Sequence, residues 1–378
     1  MGAFDELSIA VDSLSKGRNK VILVDDAMGI QYPSIFVRFD KGKIKDVVNG
    51  STNEAIHPAF LVGSAEKDAF WMGKYLGKVV NGHMLSLPLQ DPSTGQNVSG
   101  GLNFNQALQY CVNNGDGHHL ATQAEYAWMA LQCRESGFMP RGNNSYGKDY
   151  SKQYEKGAVT YKYTSGETLY DGRTATGSGP ISWNHDNTEA GVCDLNGNVY
   201  EWQAGYRTMD GEIQVLTNNN AAINADGLVA DVSPTSAEWK AILPDGSLVT
   251  PGTAGTLKFD YLADPGTASA SKTFQLVSTL AYQQTVEAPY GSMSFASLAA
   301  ASGVTVPEIL KALAIMPAQN SGYGDDYVYV RNIGERVPFR GGHWNYASNA
   351  GVFNADGYYP RSNSSSSVGA RPAFIEQG

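Results

Sequence analysis

The sequence predicts an α+β fold on three observations. Strand-like runs are short and bounded by turns, helices are few with one of them strongly capped, and no tandem repeat of fixed period runs through the chain. With 378 residues and 42% hydrophobic content, the chain can bury one large core or two ordinary ones.

Taken in order, residues 3–53 begin with Phe4, Leu7, Ala10, Val11 and Leu14 at helical spacing, and 21–24 and 34–38 then read as strands. Residues 1–54 are therefore expected to form a small N-terminal module. From 55 to 207 the pattern is mixed, with strands near 60–62 and 69–71 and then two helices separated by a glycine-rich loop. The second helix carries the strongest local signal. Thr122 and Glu125 form a capping box in which each side chain satisfies an orphan donor of the first turn, and Tyr126, Met129, Ala130 and Cys133 follow along one face. Beyond Met209 the composition shifts to Ala, Thr, Asn, Gly and Ser, with short strand-like runs such as 212–216. Residues 208–327 read as an insertion, so that 55–207 and 328–378 together make the main domain.

Charge and termini narrow the function classes. The balance of 27 basic against 37 acidic residues gives a net charge of −10, spread along the chain, which disfavours a role that tracks phosphates on nucleic acid. The first residues are acidic where a signal peptide is basic, and no apolar h-region follows. Glu6 stands where a myristoylation signal needs Ser or Thr, and no apolar run approaches a membrane span, so neither secretion by that route nor membrane insertion is expected. Cys111, Cys133 and Cys193 are too few for a disulfide framework and form no metal-type pair, and they are expected to be reduced and buried.

Several apparent motifs do not survive their own chemistry. Residues 142–148 read G-x-x-x-x-G-K, but Asp149 stands where a hydroxyl must reach magnesium and no helix-forming run follows. His118 and His119 are adjacent, would point to opposite sides of a strand, and read more simply as loop histidines than as a metal pair. Residues 297–315, with Gly303 in a turn and Pro307 at a helix start, offer only Lys311 as a base, and read as two packed helices rather than a DNA-binding motif.

Three blocks carry more. They are 119–130 (HLATQAEYAWMA) with the loop 141–147 (RGNNSYG), then 192–202 (VCDLNGNVYEW), then 339–344 (FRGGHW) through to 369–374 (GARPAF). In this order they resemble the formylglycine-generating-enzyme-like, or sulfatase-modifying-factor, branch of the C-type lectin fold, over roughly 55–207 and 331–375. The sequence departs from that pattern at 121–123, at His343 and at Ala370. Physically, Gly341 and Gly342 allow positive φ or close backbone approach, Trp202 and Trp344 fill a core, and Arg371 anchors polar backbone groups. The resemblance also implies a calcium ion held as a structural cofactor by the carboxylates of Asp194 and Glu201 and the carbonyls of Gly197 and Val199. It does not imply the enzymatic chemistry: formylglycine-generating enzymes use a cysteine pair near the C-terminal block, and no cysteine follows Cys193. The histidine cluster of sulfoxide-synthase relatives has no counterpart either. A non-enzyme is expected.

Residues 340–374 contain neither Lys nor Glu and are built from Tyr, Trp, Asn, Ser and Gly, the composition of an antibody paratope. A mobile Ser/Asn loop, especially 362–367, is the plain alternative. The layout R-G-G-x-W, then A-G-V-F, then R-S, then G-x-R-P-A-F resembles the variable region of proteins diversified by retroelements. In that family, adenine-rich codons become His, Tyr, Asp, Ser, Gly or Ala. The resemblance implies display positions at His343, Asn345, Tyr346, Ser348, Asn349, Asn354, Asp356, Tyr358, Tyr359 and Asn363. Of these, His343, Tyr346, Asn354, Asp356, Tyr358 and Tyr359 are expected to be exposed together on one face. It implies a fixed frame at Arg340, Gly341, Gly342, Trp344, Ala350, Gly351, Val352, Phe353, Arg361, Gly369 and Arg371. The partner implied is a host cell-surface receptor, reached from a phage tail in the virion, with the N-terminal module attaching to tail proteins or forming a homotrimer. A bacterial surface adhesin, or a divergent enzyme of the formylglycine type, are the other readings.

Overall fold

Residues 2–222 and 231–376 are described by the computed structural model. The N-terminal apolar spacing becomes helix α1 (Ala3–Ser15), which leaves Phe4, Ile9 and Leu14 exposed. Helix α2 (Phe104–Val112) starts at a reciprocal cap in which Asn103 Oδ1 accepts from Gln106 N at 3.0 Å and Gln106 Oε1 accepts from Asn103 N at 2.8 Å. Helix α3 (Gln123–Glu135) starts at the Thr122/Glu125 box. Unlike the one-faced helix the sequence suggests, α3 is buried on nearly all sides, because it runs through the largest apolar cluster of the protein.

Among the described residues, one five-stranded and two seven-stranded sheets carry most of the strands, beside three two-stranded hairpins. A five-stranded sheet runs in the order Asn19–Asp25, Gln31–Asp40, Ala69–Gly73, Pro372–Phe374, His118–Leu120. The N-terminal hairpin shares this sheet with later strands: Gln31–Asp40 pairs antiparallel with Ala69–Gly73 from Phe36↔Gly73 to Asp40↔Ala69. A second sheet of seven strands runs Ser271–Lys272, Tyr290–Ser294, Tyr327–Val330, Gly351–Gly357, Phe339–Gly341, Tyr200–Trp202, Val368–Ala370. A third is built on Tyr206–Met209 and Glu212–Val215. The stretch 208–327 therefore supplies strands to both seven-stranded sheets, and its apolar residues share one cluster with α3 and Phe353.

Three local expectations need correction. His118 and His119 lie on a buried strand, not in a loop. As strand alternation requires, they face opposite ways, His118 between the rings of Phe36 and Phe374 and His119 Nε2 against Glu125 Oε1 at 2.8 Å. In 297–315 only the one-turn helix α4 (Glu308–Ala312) forms after a 3-10 turn at Phe295–Ser297, since Ala301 N donates to Leu276 O and Ala299 O accepts from Leu276 N, pairing this stretch with the neighbouring strand. The run 60–62 is split between a 3-10 turn, Pro58–Phe60, and the two-residue strand Leu61–Val62, where Pro58 starts the turn.

Candidate functional site

The site grows from the middle of the second sheet. Gly351–Gly357 is a central strand, paired in parallel with Tyr327–Val330 and antiparallel with Phe339–Gly341. Register places Tyr329, Asp356, Phe339 and Trp202 side by side across four strands, hence on one face. Ala355, Arg340 and Glu201 line up on the other.

On that second face the two carboxylates expected to hold calcium have protein partners. Both Glu201 oxygens are taken by one guanidinium, with Arg371 Nε donating to Oε2 at 2.8 Å and Nη2 to Oε1 at 2.9 Å. Arg371 also donates to the carbonyls of Gly73 and Cys193, each at 2.9 Å, and neither member of the pair is exposed. The Asp194 carboxylate turns elsewhere and accepts from Gly177 N at 2.7 Å. Burial pushes the Asp194 carboxyl up to about 6. Of the four residues expected to hold calcium, Glu201 is thus ion-paired and Asp194 hydrogen-bonded to a backbone N–H. Among the described residues no group of three or more His, Cys, Asp or Glu is arranged to hold a metal.

The frame expected between 340 and 371 is buried throughout: Arg340, Gly341, Gly342, Trp344, Ala350, Gly351, Val352, Phe353, Arg361, Gly369 and Arg371. Gly341 and Gly342 have φ of 92° and 79°, and a Cβ on Gly342 would lie 2.6 Å from that of Ala350. Trp344, 4% exposed, packs with Leu76 and Val199 and meets the ring of Tyr161 edge-on at 5.8 Å.

The expected display positions divide. Asn345 and Tyr359 are exposed, and His343, Tyr346, Ser348, Asn349, Tyr358 and Asn363 are half-buried. Asn354 and Asp356 are not displayed, at 0% and 2% exposure. Both sit on the inner strand, so alternation turns them under the loop 343–349, where Asn354 Nδ2 donates to Asn349 O at 2.8 Å and Asp356 Oδ1 accepts from Tyr358 N at 2.9 Å. Burial pushes the Asp356 carboxyl up to about 7. Rings close around it: Tyr200 and Tyr346 lie 5.4 Å apart, Tyr329 and Tyr346 5.9 Å, and His343 and Tyr346 4.4 Å. Burial also holds His343 neutral, lowering its pKa to about 3.

Residues outside the expected segment complete the surface. The hairpin Lys162–Ser165 and Thr168–Asp171 brings Tyr163 and Tyr170 against Tyr146, with Tyr163 6.0 Å from Trp344. On the other side, Arg331 stacks 3.3 Å over Tyr358 and donates to Glu287. Tyr329 carried a usable signal in the period-two run Tyr-Val-Tyr-Val at 327–330; Tyr163 and Tyr170 carried none that marks proximity to residue 344.

No family model matches this chain and no curated protein matches it. Among solved structures it is similar to the Major Tropism Determinant U1 variant, at 14% identity over 94% of this chain and 72% of that one, with a TM-score of 0.33. It is also similar to Treponema denticola variable protein 1, at 12% identity over 95% of this chain and 99% of that one, with a TM-score of 0.34. No described helix is long and apolar enough to cross a membrane.

Proposed function

We propose that this chain is a ligand-binding protein and not an enzyme, presenting a changeable C-terminal surface on a scaffold of the C-type lectin, formylglycine-generating-enzyme-like type. The observation that carries this reading is the division within 340–371. The proposed frame is buried without exception, while Asn345 and Tyr359 are exposed and Tyr346, Tyr358 and Asn363 half-buried on the loops it holds. Tyrosine, asparagine and serine on a rigid base suit recognition, because they give contact area and adaptable hydrogen bonds at low entropic cost. Asn354 and Asp356 act beneath that surface, supporting its loop.

The setting proposed is host recognition by a phage or prophage tail, with a cell-surface receptor as partner and the N-terminal stretch serving attachment or trimer formation. The exposed Phe4, Ile9 and Leu14 of α1 support a contact there. Flow cytometry of labelled protein on a panel of intact bacterial strains tests the reading. Strain-selective binding lost in Tyr359→Ser at unchanged melting temperature is expected, and equal binding by parent and variant on every strain would refute it. In the encoding DNA, a near-copy of the segment for 340–374 differing only at adenines, beside a reverse transcriptase gene, is expected.

A further inference from the structure

A cavity of about 160 Å³ opens beside the C-terminal segment, lined by Asp149, Tyr150, Asp325, Asp326, Ser348 and Gly351 among others. Its charge is one-sided. The Asp149 carboxylate is saturated by Ser151, Lys152 N, Gly142 N and Asn144. The single base in the lining, Arg141, is committed to Glu155 through Nε at 2.9 Å and Nη2 at 2.6 Å. Asp325 is exposed, and Asp326 is only 5% exposed. Asp326 Oδ2 accepts from Phe353 N at 2.8 Å, whereas Oδ1 accepts no hydrogen bond and the side chain makes no ion pair among the described residues.

A buried carboxylate with no direct ion pair is costly: burial pushes Asp326 well above the usual carboxylate range, although the hydrogen bond from Phe353 N and the charge of Arg340 act the other way. The space is nevertheless kept for it: a Cβ at Gly351 would stand 2.1 Å from Asp326 Oδ1, so glycine there lets the carboxylate sit at the cavity. The carboxylates are not grouped as metal ligands, and the volume is several times the ~30 Å³ share of one water. Tyr150, 40% exposed, offers a ring face at the same mouth.

We propose that this cavity takes a basic side chain of the partner, an alkyl chain ending in ammonium or guanidinium, with Asp326 as its counter-ion and Tyr150 as its stacking surface. The proposal rests on the reading of 340–374 as the ligand surface, of which Ser348 and Gly351 form the near wall. The net charge of −10 favours a basic partner at longer range.

The test titrates the full chain with n-butylammonium, n-propylguanidinium, n-butanol and calcium chloride, read by ligand-observed NMR, with melting curves on each variant. Saturable millimolar binding of n-butylammonium or n-propylguanidinium but not n-butanol is expected. Asp326→Asn should weaken it about tenfold, the loss of a charged hydrogen bond, and Tyr150→Ser several-fold. If Asp326→Asn does not fold, the exposed Tyr150→Ser decides. Equal binding of n-butanol, undiminished binding in the folded variants, or displacement of the organic cations by micromolar calcium would overturn the proposal. Cell binding separates the two readings: loss in Tyr359→Ser with full retention in Asp326→Asn leaves surface display standing and removes the cation site. Cation binding in the cavity with cell binding indifferent to Tyr359→Ser does the opposite.

Discussion

Replacing Glu201 by Gln removes a negative charge from a site with no access to water and leaves the Arg371 guanidinium buried. The wild-type pair has two near-parallel bonds, at 2.8 and 2.9 Å, and Arg371 makes two further bonds to the carbonyls of Gly73 and Cys193. These four bonds tie the first sheet, at Gly73, to the loop before Tyr200–Trp202 and to the last strands. Breaking a buried pair by removing one partner costs about 3–5 kcal/mol. Gln retains one acceptor, so the lower part of that range, ~3 kcal/mol, is expected. Urea unfolding followed by circular dichroism should show the midpoint fall with an unchanged slope. Excess EDTA should leave the parent curve where it was. If Glu201→Gln were neutral while EDTA lowered the parent's midpoint, Glu201 would be a metal ligand and the ion-pair assignment would be wrong.

Three other outcomes are expected. Trp344→Ala should cost about 3–5 kcal/mol as a large core truncation, whereas Tyr359→Ser should stay within about 0.5 kcal/mol; thermal melts of both variants check this. The Asp356 carboxyl, at about 7 in the folded state against an ordinary 3.8, binds its proton more tightly folded than unfolded, so its contribution to stability is present below pH 4 and falls as pH rises to 7. Asp356→Asn should therefore gain on the parent in melting temperature across that window and hold the gain at pH 8, and parallel pH profiles for the two proteins would contradict it. Burial pushes the Cys193 thiol up to about 12 and raises Cys111 and Cys133 further, so a thiol reagent should label none of the three in the native protein and all of them in denaturant.

Local chemistry was legible in the sequence and long-range partnership was not. The Thr122/Glu125 box forms as expected, with Thr122 Oγ1 accepting from Glu125 N at 3.2 Å and Glu125 Oε2 accepting from Thr122 N at 3.0 Å. That Glu125 Oε1 also accepts from Asn219, 94 positions away, follows only from the fold. Arg371 was recognisable as an anchor among apolar residues, yet its partner Glu201 carried the same signature as a calcium ligand, because a carboxylate's type does not say which cation meets it. Gly341 and Gly342 were readable because positive φ is a property of one residue. Asn354 and Asp356 looked displayable by residue type, and their burial depends on the central placement of Gly351–Gly357, which no window of sequence contains. Asp326 and Tyr150 gave no signal, since the cavity they share is lined by stretches far apart in the chain.

The most direct test of the division between buried frame and projecting surface is a library randomised at Asn345, Tyr346, Ser348, Tyr358, Tyr359 and Asn363, assayed clone by clone for cooperative unfolding. If these positions are display and 340–371 otherwise frame, most clones should unfold cooperatively within a few degrees of the parent, while a matched library at Trp344, Val352, Phe353 and Arg371 should yield almost none that do. Widespread unfolding in the first library, or tolerance in the second, would contradict the assignment of this segment as a changeable recognition surface.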